Sequence, residues 1–204
     1  GQINSFSGTD LNNLPKPEEA DTLTVGLVWT PTFGGVLSNA VFSLDYYDID
    51  IQGYIDEFSP QEILDGCYVL GNAASCANIR RVGGGLTLDG SGVEAFTTNL
   101  NYIQAEGVEL GFTLGFDVGR FGQLTFAGNV NKYLTQEFQS AATSPVTDCN
   151  GYFGTSCGGP LPEVRWLQRT SWDYNNFQVS LIWRHLGKVE REIPDLEGIR
   201  AGGD

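Results

Sequence analysis

The chain has 204 residues, room for one large β domain or two small ones. Its formal net charge is -14, and without a basic stripe to meet a phosphate backbone it excludes nucleic acid as a partner. No stretch approaches 18 consecutive apolar residues, so no helix is expected to cross a membrane. No secretory leader is legible at Gly1, as expected of a chain whose leader has been removed or of an internal piece of something longer.

Alternation with period two dominates the chain, and helical periodicity is nearly absent. Residues 22–30 place Leu23, Val25, Leu27 and Trp29 on one face, and Thr22, Thr24, Gly26 and Thr30 on the other. Residues 40–47 set Phe42, Leu44 and Tyr46 against Ser43, Asp45 and Tyr47. In the connection that follows, Ser59 as cap and Pro60 in the first turn predict one short helix. Residues 96–118 read as a single run of 23 residues. There Val108, Leu110, Phe112, Leu114 and Phe116 alternate with Glu109, Gly111, Thr113, Gly115 and Asp117, and Gly107 marks a bulge or bend. After a turn at 119–122, Leu124, Phe126, Gly128 and Val130 alternate with Thr125, Ala127, Asn129 and Asn131 in residues 123–138. Residues 163–173 put Val164, Trp166 and Trp172 opposite Arg165, Arg169, Ser171 and Asp173. Residues 177–186 put Phe177, Val179, Leu181 and Trp183 opposite Gln178, Ser180 and Arg184.

The connections alternate strictly. Residues 31–37, 119–122 and 174–176 are tight; 51–94 and 139–162 are long. All tight turns therefore belong to one end of the sheet and all long loops to the other. Each long loop holds a cysteine pair, Cys67/Cys76 and Cys149/Cys157. Close spacing in Gly/Ser/Asn-rich loops predicts two disulfide-closed lobes in an oxidising compartment. The spacings and the single His185 argue against zinc.

Strand length and aromatic placement decide what the apolar face meets. Twenty-three residues would run roughly 75 Å at about 3.3 Å per residue, whereas a strand tilted ~45° crosses a bilayer in about 9–11. Trp29, Phe33, Phe121, Trp172, Tyr174 and Phe177 all fall at or beside the tight turns, as in the aromatic girdles of outer-membrane barrels. The fold expected is all-β: an antiparallel up-and-down transmembrane β-barrel with the apolar face to lipid and the small polar face to a lumen. Glu109, Thr113, Asp117, Asn129 and Asn131 are the lumen-facing candidates. About six strands do not close an aqueous barrel, and open edges in lipid leave N–H and C=O groups unpaired. Partner strands are therefore expected outside these residues.

Three stretches resemble TonB-dependent outer-membrane receptors. "NNLPKPEEADTLTVGLVWTP" is similar to the opening of a late barrel strand, through Asn12, Leu14, Pro17, Glu18 and Gly26; two residues separate Leu14 from Pro17 where the family pattern has one. "FSLDYYDIDIQGYI" resembles the next strand, leading to a loop with a short helix and a cysteine pair in "SPQEILDGCYVLGNAASCANIRR". "NLNYIQAEGVELGFTL" resembles the family's Asn…Gly-Val-Glu strand, through Asn99 or Asn101, Gly107, Val108 and Glu109. The resemblance runs in order over roughly residues 10–190. It implies the C-terminal part of a barrel of about 22 strands in the bacterial outer membrane, active import of a scarce ligand such as a siderophore, cobalamin or an oligosaccharide, and energy from TonB. The family's plug and closing strand have no counterpart in these residues.

Other constellations have simpler readings. Gly154-Thr155-Ser156-Cys157-Gly158 matches the G-x-S-x-G elbow formally but lies in a cysteine loop without a suitable base, so no catalytic residue is assigned. Asp45, Asp48, Asp50, Asp56 and Glu57 do not match the EF-hand calcium loop and read as a solvated face, with calcium bridging near the loop base as the alternative. Gly83-Gly84-Gly85, Gly90 and Gly92 read as loop flexibility, and Glu106 and Glu109 point to opposite faces. No metal or cofactor is expected. Tyr54, Phe58, Tyr68, Tyr152 and Phe153, all in the long loops, are the ligand-contact candidates, with packing of the loops' own cores as the competing role. A passive porin or adhesin barrel and a soluble, secreted, carbohydrate-binding β-sandwich remain as rivals. The sandwich requires Phe112, Leu114 and Phe116 to be buried under a second sheet.

Overall fold

A computed structural model describes residues 3–34, 37–141, 145–154, 157–195 and 198–201. In chain order the elements are β1 (Ser5–Gly8), β2 (Glu19–Trp29), β3 (Leu37–Gln52), β4 (Ile55–Glu57), helices α1 (Pro60–Tyr68) and α2 (Ala73–Ala77), β5 (Ile79–Arg80), β6 (Gly92–Asn99), β7 (Tyr102–Asp117), β8 (Gln123–Gln139), β9 (Thr147–Asp148), β10 (Tyr152–Phe153), β11 (Val164–Tyr174), β12 (Phe177–Leu186), β13 (Glu190–Asp195) and β14 (Gly198–Ala201). The chain divides into two compact units. The first comprises residues 1–19, 51–102 and 139–144; the second comprises 20–50, 103–138 and 145–204.

The second unit is built on one open sheet in the order β12-β11-β8-β7-β3-β2, with β9 beside β8. Each long strand lies next to the long strand that follows it, which makes an up-and-down meander. Register is read from the polar and apolar rows. On β11, Arg165 stands opposite Asn131 of β8 and Leu186 of β12; one residue on, Trp166 stands opposite Val130 and His185. Period-two side chains thus keep the Arg165 row and the Trp166 row on opposite faces along all three strands. The strands β2, β11 and β12 have 11, 11 and 10 residues. At about 3.3 Å per residue and a tilt near 40°, ten residues rise ~25 Å, the height of an outer-membrane apolar band. The strands β3, β7 and β8 have 16, 16 and 17 residues, several more than a crossing needs.

The tight turns have local causes. Asn175, at φ 51°, takes the left-handed conformation of a two-residue hairpin between β11 and β12. Between β7 and β8 a 3₁₀ turn at Gly119–Phe121 is closed by Gly119 N–H donating to Asp117 Oδ1 at 2.8 Å and by Val118 N–H donating to Gly122 O at 2.9 Å. Gly122 has φ 87°, and a Cβ there would strike the Asp173 carbonyl, so only glycine fits.

Neither face of this sheet carries a second layer among the described residues. Leu110 is 40% exposed, Leu181 66% and Leu27 67%, and none of Phe112, Leu114 and Phe116 is buried. That contradicts the sandwich arrangement, in which those rings would be covered. Apolar side chains presented in this way along whole strands require an apolar solvent. The sheet is not closed: β2 and β12 are its two edges, and each is exposed along its whole length.

The first unit has the core that the large sheet lacks. β6 pairs in parallel with β1 (Ser5 opposite Val93) and antiparallel with β4 (Ile55 opposite Asn99) and β5 (Ile79 opposite Val93). Ile63, Ile79, Val93 and Ala95 form its buried cluster, with Phe58, Leu64, Cys67 and Leu86 packed against it. α1 begins where the sequence places it. Ser59 Oγ accepts from Glu62 N–H at 3.2 Å while Glu62 Oε2 accepts from Ser59 N–H at 2.8 Å, a reciprocal capping box. A second helix, α2, follows, capped by Asn72 Oδ1, which accepts from Ala74 N–H and Ser75 N–H.

The structure corrects one strand reading. The expected run over 96–118 is broken at Leu100-Asn101 into β6 and β7, which lie in different sheets. Asn99 causes the break: its Nδ2 donates to Lys16 O at 2.9 Å and Gly53 O at 2.6 Å, and its Oδ1 accepts from Lys16 N–H at 2.7 Å. These bonds fasten β6 to other segments of the first unit, and buried Leu100 donates its N–H to Tyr54 O. Gly107 lies mid-strand in β7, where a Cβ would collide with the Tyr47 phenol and sit 2.8 Å from Lys132 O.

Candidate functional site

The polar face of the large sheet is an ordered row of side chains. Tyr47 on β3 lies over Gly107 of β7, and its hydroxyl donates to Asn131 Oδ1 on β8 at 3.0 Å. Its ring meets Tyr133 edge-on at 6.4 Å, and the Arg165 guanidinium of β11 stands 5.2 Å from the Tyr133 centroid. Four neighbouring strands are thus linked by Tyr47, Asn131, Tyr133 and Arg165. Gly26 and Gly111 serve the same packing, since added Cβ atoms would strike Asp45 and Ser43. Small residues alternate with larger polar ones so that long side chains can lie flat across the next strand.

The five lumen candidates divide by role. Asn131 belongs to this row. Asn129 Nδ2 donates to Glu109 Oε1 at 3.5 Å, so those two meet across β7 and β8. Thr113 lies in β7 between Gly111 and Gly115, half-buried. Asp117 instead caps the turn through Gly119 N–H. Sequence reading did not name Tyr47, Tyr133 or Arg165 among the lumen candidates; for Tyr47 the signal was Gly107, the glycine it covers across the sheet.

The opposite face carries aromatic clusters. At the tight-turn end Trp29 stacks with Phe42 at 5.6 Å, and Trp172 stacks with Tyr174 at 5.7 Å while its Nε1 donates to Phe121 O at 2.8 Å. Trp166 lies six residues back along β11, roughly 20 Å away, with Trp183 at 5.9 Å and His185 at 5.6 Å. Aromatic clusters at both ends of an apolar strand surface are the pattern of a membrane band.

The loop candidates fall in two places. In the first unit Phe58 packs against the buried cluster. Tyr68 remains exposed, with Arg81 Nη2 donating to its hydroxyl at 2.5 Å and the guanidinium 5.6 Å from its ring centroid. Tyr54 is half-buried, and that burial, with Asp56 and Glu62 nearby, pushes its phenol up to about 12. The disulfide Cys67–Cys76 ties α1 to α2, with Cα atoms 4.6 Å apart. In the second unit Cys149–Cys157 closes a small lobe. There Tyr152 and Phe153 form β10, which pairs in parallel with β13. The buried Glu192 of β13 accepts from Cys157 N–H at 2.8 Å. Ser156 of the G-x-S-x-G match lies outside the described residues.

The acidic residues beside the second long strand do not assemble into an ion site. Asp48 accepts from Gln104 Nε2 at 3.1 Å, and among the described residues no three His, Cys, Asp or Glu side chains converge as metal ligands. Glu106 binds Tyr46 and Thr135 hydroxyls at 2.8 and 3.2 Å, which occupies both its oxygens.

A meander of long strands, polar and knitted on one face, apolar and uncovered on the other, with aromatic bands, defines a transmembrane β-barrel protein. The chain belongs to the TonB dependent receptor-like, beta-barrel family, whose model matches residues 1–196. Neither a curated protein nor a solved structure matches it. Membership implies a receptor and transporter of the bacterial outer membrane, working with TonB and a small ligand in general.

Proposed function

We propose that these residues form the late strands of an outer-membrane receptor barrel of about 22 strands that imports a scarce ligand at TonB's expense of energy. The observation that carries the reading is the unpartnered apolar face of a sheet whose other face is an organised polar row, in a chain of this family. Strands of 10 and 11 residues support a membrane crossing. Two open edges call for further strands, because unpaired backbone groups in hydrocarbon cost several kcal/mol each. The residues that knit the polar face would line the lumen.

In this reading the long connections stand outside the cell and capture the ligand. The disulfides brace them, and Tyr68, Tyr152 and Phe153 offer ring surface for a siderophore, cobalamin or oligosaccharide. Tyr54 and Phe58 hold the first lobe together instead. The plug that TonB pulls, and the strand that closes the barrel, are supplied by the rest of the receptor.

The test is fractionation of cells expressing the full receptor, followed by binding and uptake of candidate ligands with and without TonB. The proposal expects the protein in the outer membrane and uptake that stops when TonB is deleted. Uptake indifferent to TonB would favour a passive porin, and a protein soluble without detergent would overturn the membrane reading.

A further inference from the structure

Three arginines stand together on the polar face of the large sheet. Arg184 of β12 is opposite Leu167 of β11, and Arg165 and Arg169 flank Leu167 by two residues on either side. All three therefore share one face, with Arg184 diagonal to each of the others at about 7–8 Å between backbones. Their neighbours in register are Leu186, Ile182, Asn131, Asn129 and Ala127, none of them acidic. No ion pair is formed by any of the three among the described residues.

Three carboxylates on the same face are engaged elsewhere. Glu109 accepts from Asn129, Asp173 from Gln178 at 2.7 Å, and Asp117 from Gly119 N–H. Arg165 is held in place against the Tyr133 ring, and its Nε is buried with no hydrogen-bond partner. The chain has 11 Lys and Arg against 25 Asp and Glu. Three cations gathered with no acid in register beside them, and only Glu109 nearby through Asn129, thus run against its own composition. Like charges on adjacent strands repel, and guanidinium groups are the usual partners of carboxylate and phosphate, which they grip through two parallel hydrogen bonds.

We propose that Arg165, Arg169 and Arg184 form an anion-binding patch on the lumenal wall, for a ligand that carries two or more carboxylate or phosphate groups. The proposal rests on the reading of this face as the lumen. Arg165 is the second residue of β11 and Arg184 the eighth of β12, so the patch lies towards the end remote from the Asn175 turn. That is the long-loop end, where an entering ligand arrives first.

Citrate and pyrophosphate are the probes, titrated calorimetrically into the detergent-solubilised full-length receptor. Wild type should bind both, more weakly as salt rises. Each Arg→Gln change should weaken binding about tenfold, and the triple variant should abolish it. Lys132→Gln, on the other face, should change nothing. Failure of wild type to bind either probe at millimolar concentration, or undiminished binding by the triple variant, would overturn the proposal. If the triple variant instead exposes the plug to trypsin while probe binding persists, the arginines hold an acidic face of the plug, which also overturns it. Failure of the lumen reading itself shows separately: a nitroxide on Arg184→Cys would then be relaxed by oxygen in the lipid and shielded from a water-soluble nickel chelate.

Discussion

Leu181→Arg places the membrane reading under direct strain. Leu181 is the fifth of ten residues in β12, on the face shared with Val179 and Trp183, and is 66% exposed. If that face meets hydrocarbon, an arginine near the midplane costs about 2–4 kcal/mol. If it meets water, an exposed Leu→Arg change stays within about 0.5 kcal/mol. Ser180→Arg is the control one residue away on the opposite face, where Ser180 meets Ser171 Oγ at 3.0 Å. Its cost should be below about 1 kcal/mol, the scale of a cross-strand pair. The assay is guanidinium unfolding of the full receptor in phospholipid vesicles, followed by tryptophan fluorescence and repeated for both variants. A Leu181→Arg shift no larger than that of Ser180→Arg would refute the assignment of faces.

Three further outcomes follow from named contacts. Cys67→Ser should loosen the first unit by about 2.6 kcal/mol on a chain-entropy account of so short a closure, read as faster proteolysis within residues 51–102 while the heat-modifiable barrel band persists. Gly107→Ala should destabilise by about 1–3 kcal/mol through overpacking against Tyr47 and Lys132 O; adding Tyr47→Ala should restore only part, because the backbone carbonyl stays, and a full rescue measured by unfolding midpoint would contradict the contact. The Tyr54 phenol, raised from 10.0 to about 12, favours the protonated folded state, so its contribution is intact below pH 10 and is lost as pH rises towards 12. A wild-type minus Tyr54→Phe difference titration at phenolate wavelengths should show that late ionisation, and a midpoint at 10 would remove the burial.

Local chemistry was legible in the sequence, and distant pairing was not. The Ser59 cap with Pro60, the tight turn at 174–176 and the alternation in β7 and β8 each depend on neighbours a few residues away, and each appears where the pattern puts it. The break at Leu100-Asn101 depends on Asn99 meeting Lys16 and Gly53, 83 and 46 residues away, which no local pattern announces. β1 and β13 are short strands fixed by partners far along the chain, Ser5 by Val93 and Glu190 by Tyr152. For the polar face, parity in sequence placed Glu109, Asn129 and Asn131 together. The link through Tyr47, Tyr133 and Arg165 needed the register of four strands, because each contact crosses from one strand to the next.

The most direct measurement is site-directed spin labelling of β7 in the full receptor in outer-membrane vesicles. Nitroxides at Leu110, Phe112 and Leu114 should be relaxed by oxygen dissolved in lipid, and those at Glu109 and Thr113 by a water-soluble nickel chelate, in a strict two-residue alternation. Labels at 110, 112 and 114 shielded from both reagents, as under a second protein layer, would contradict the account.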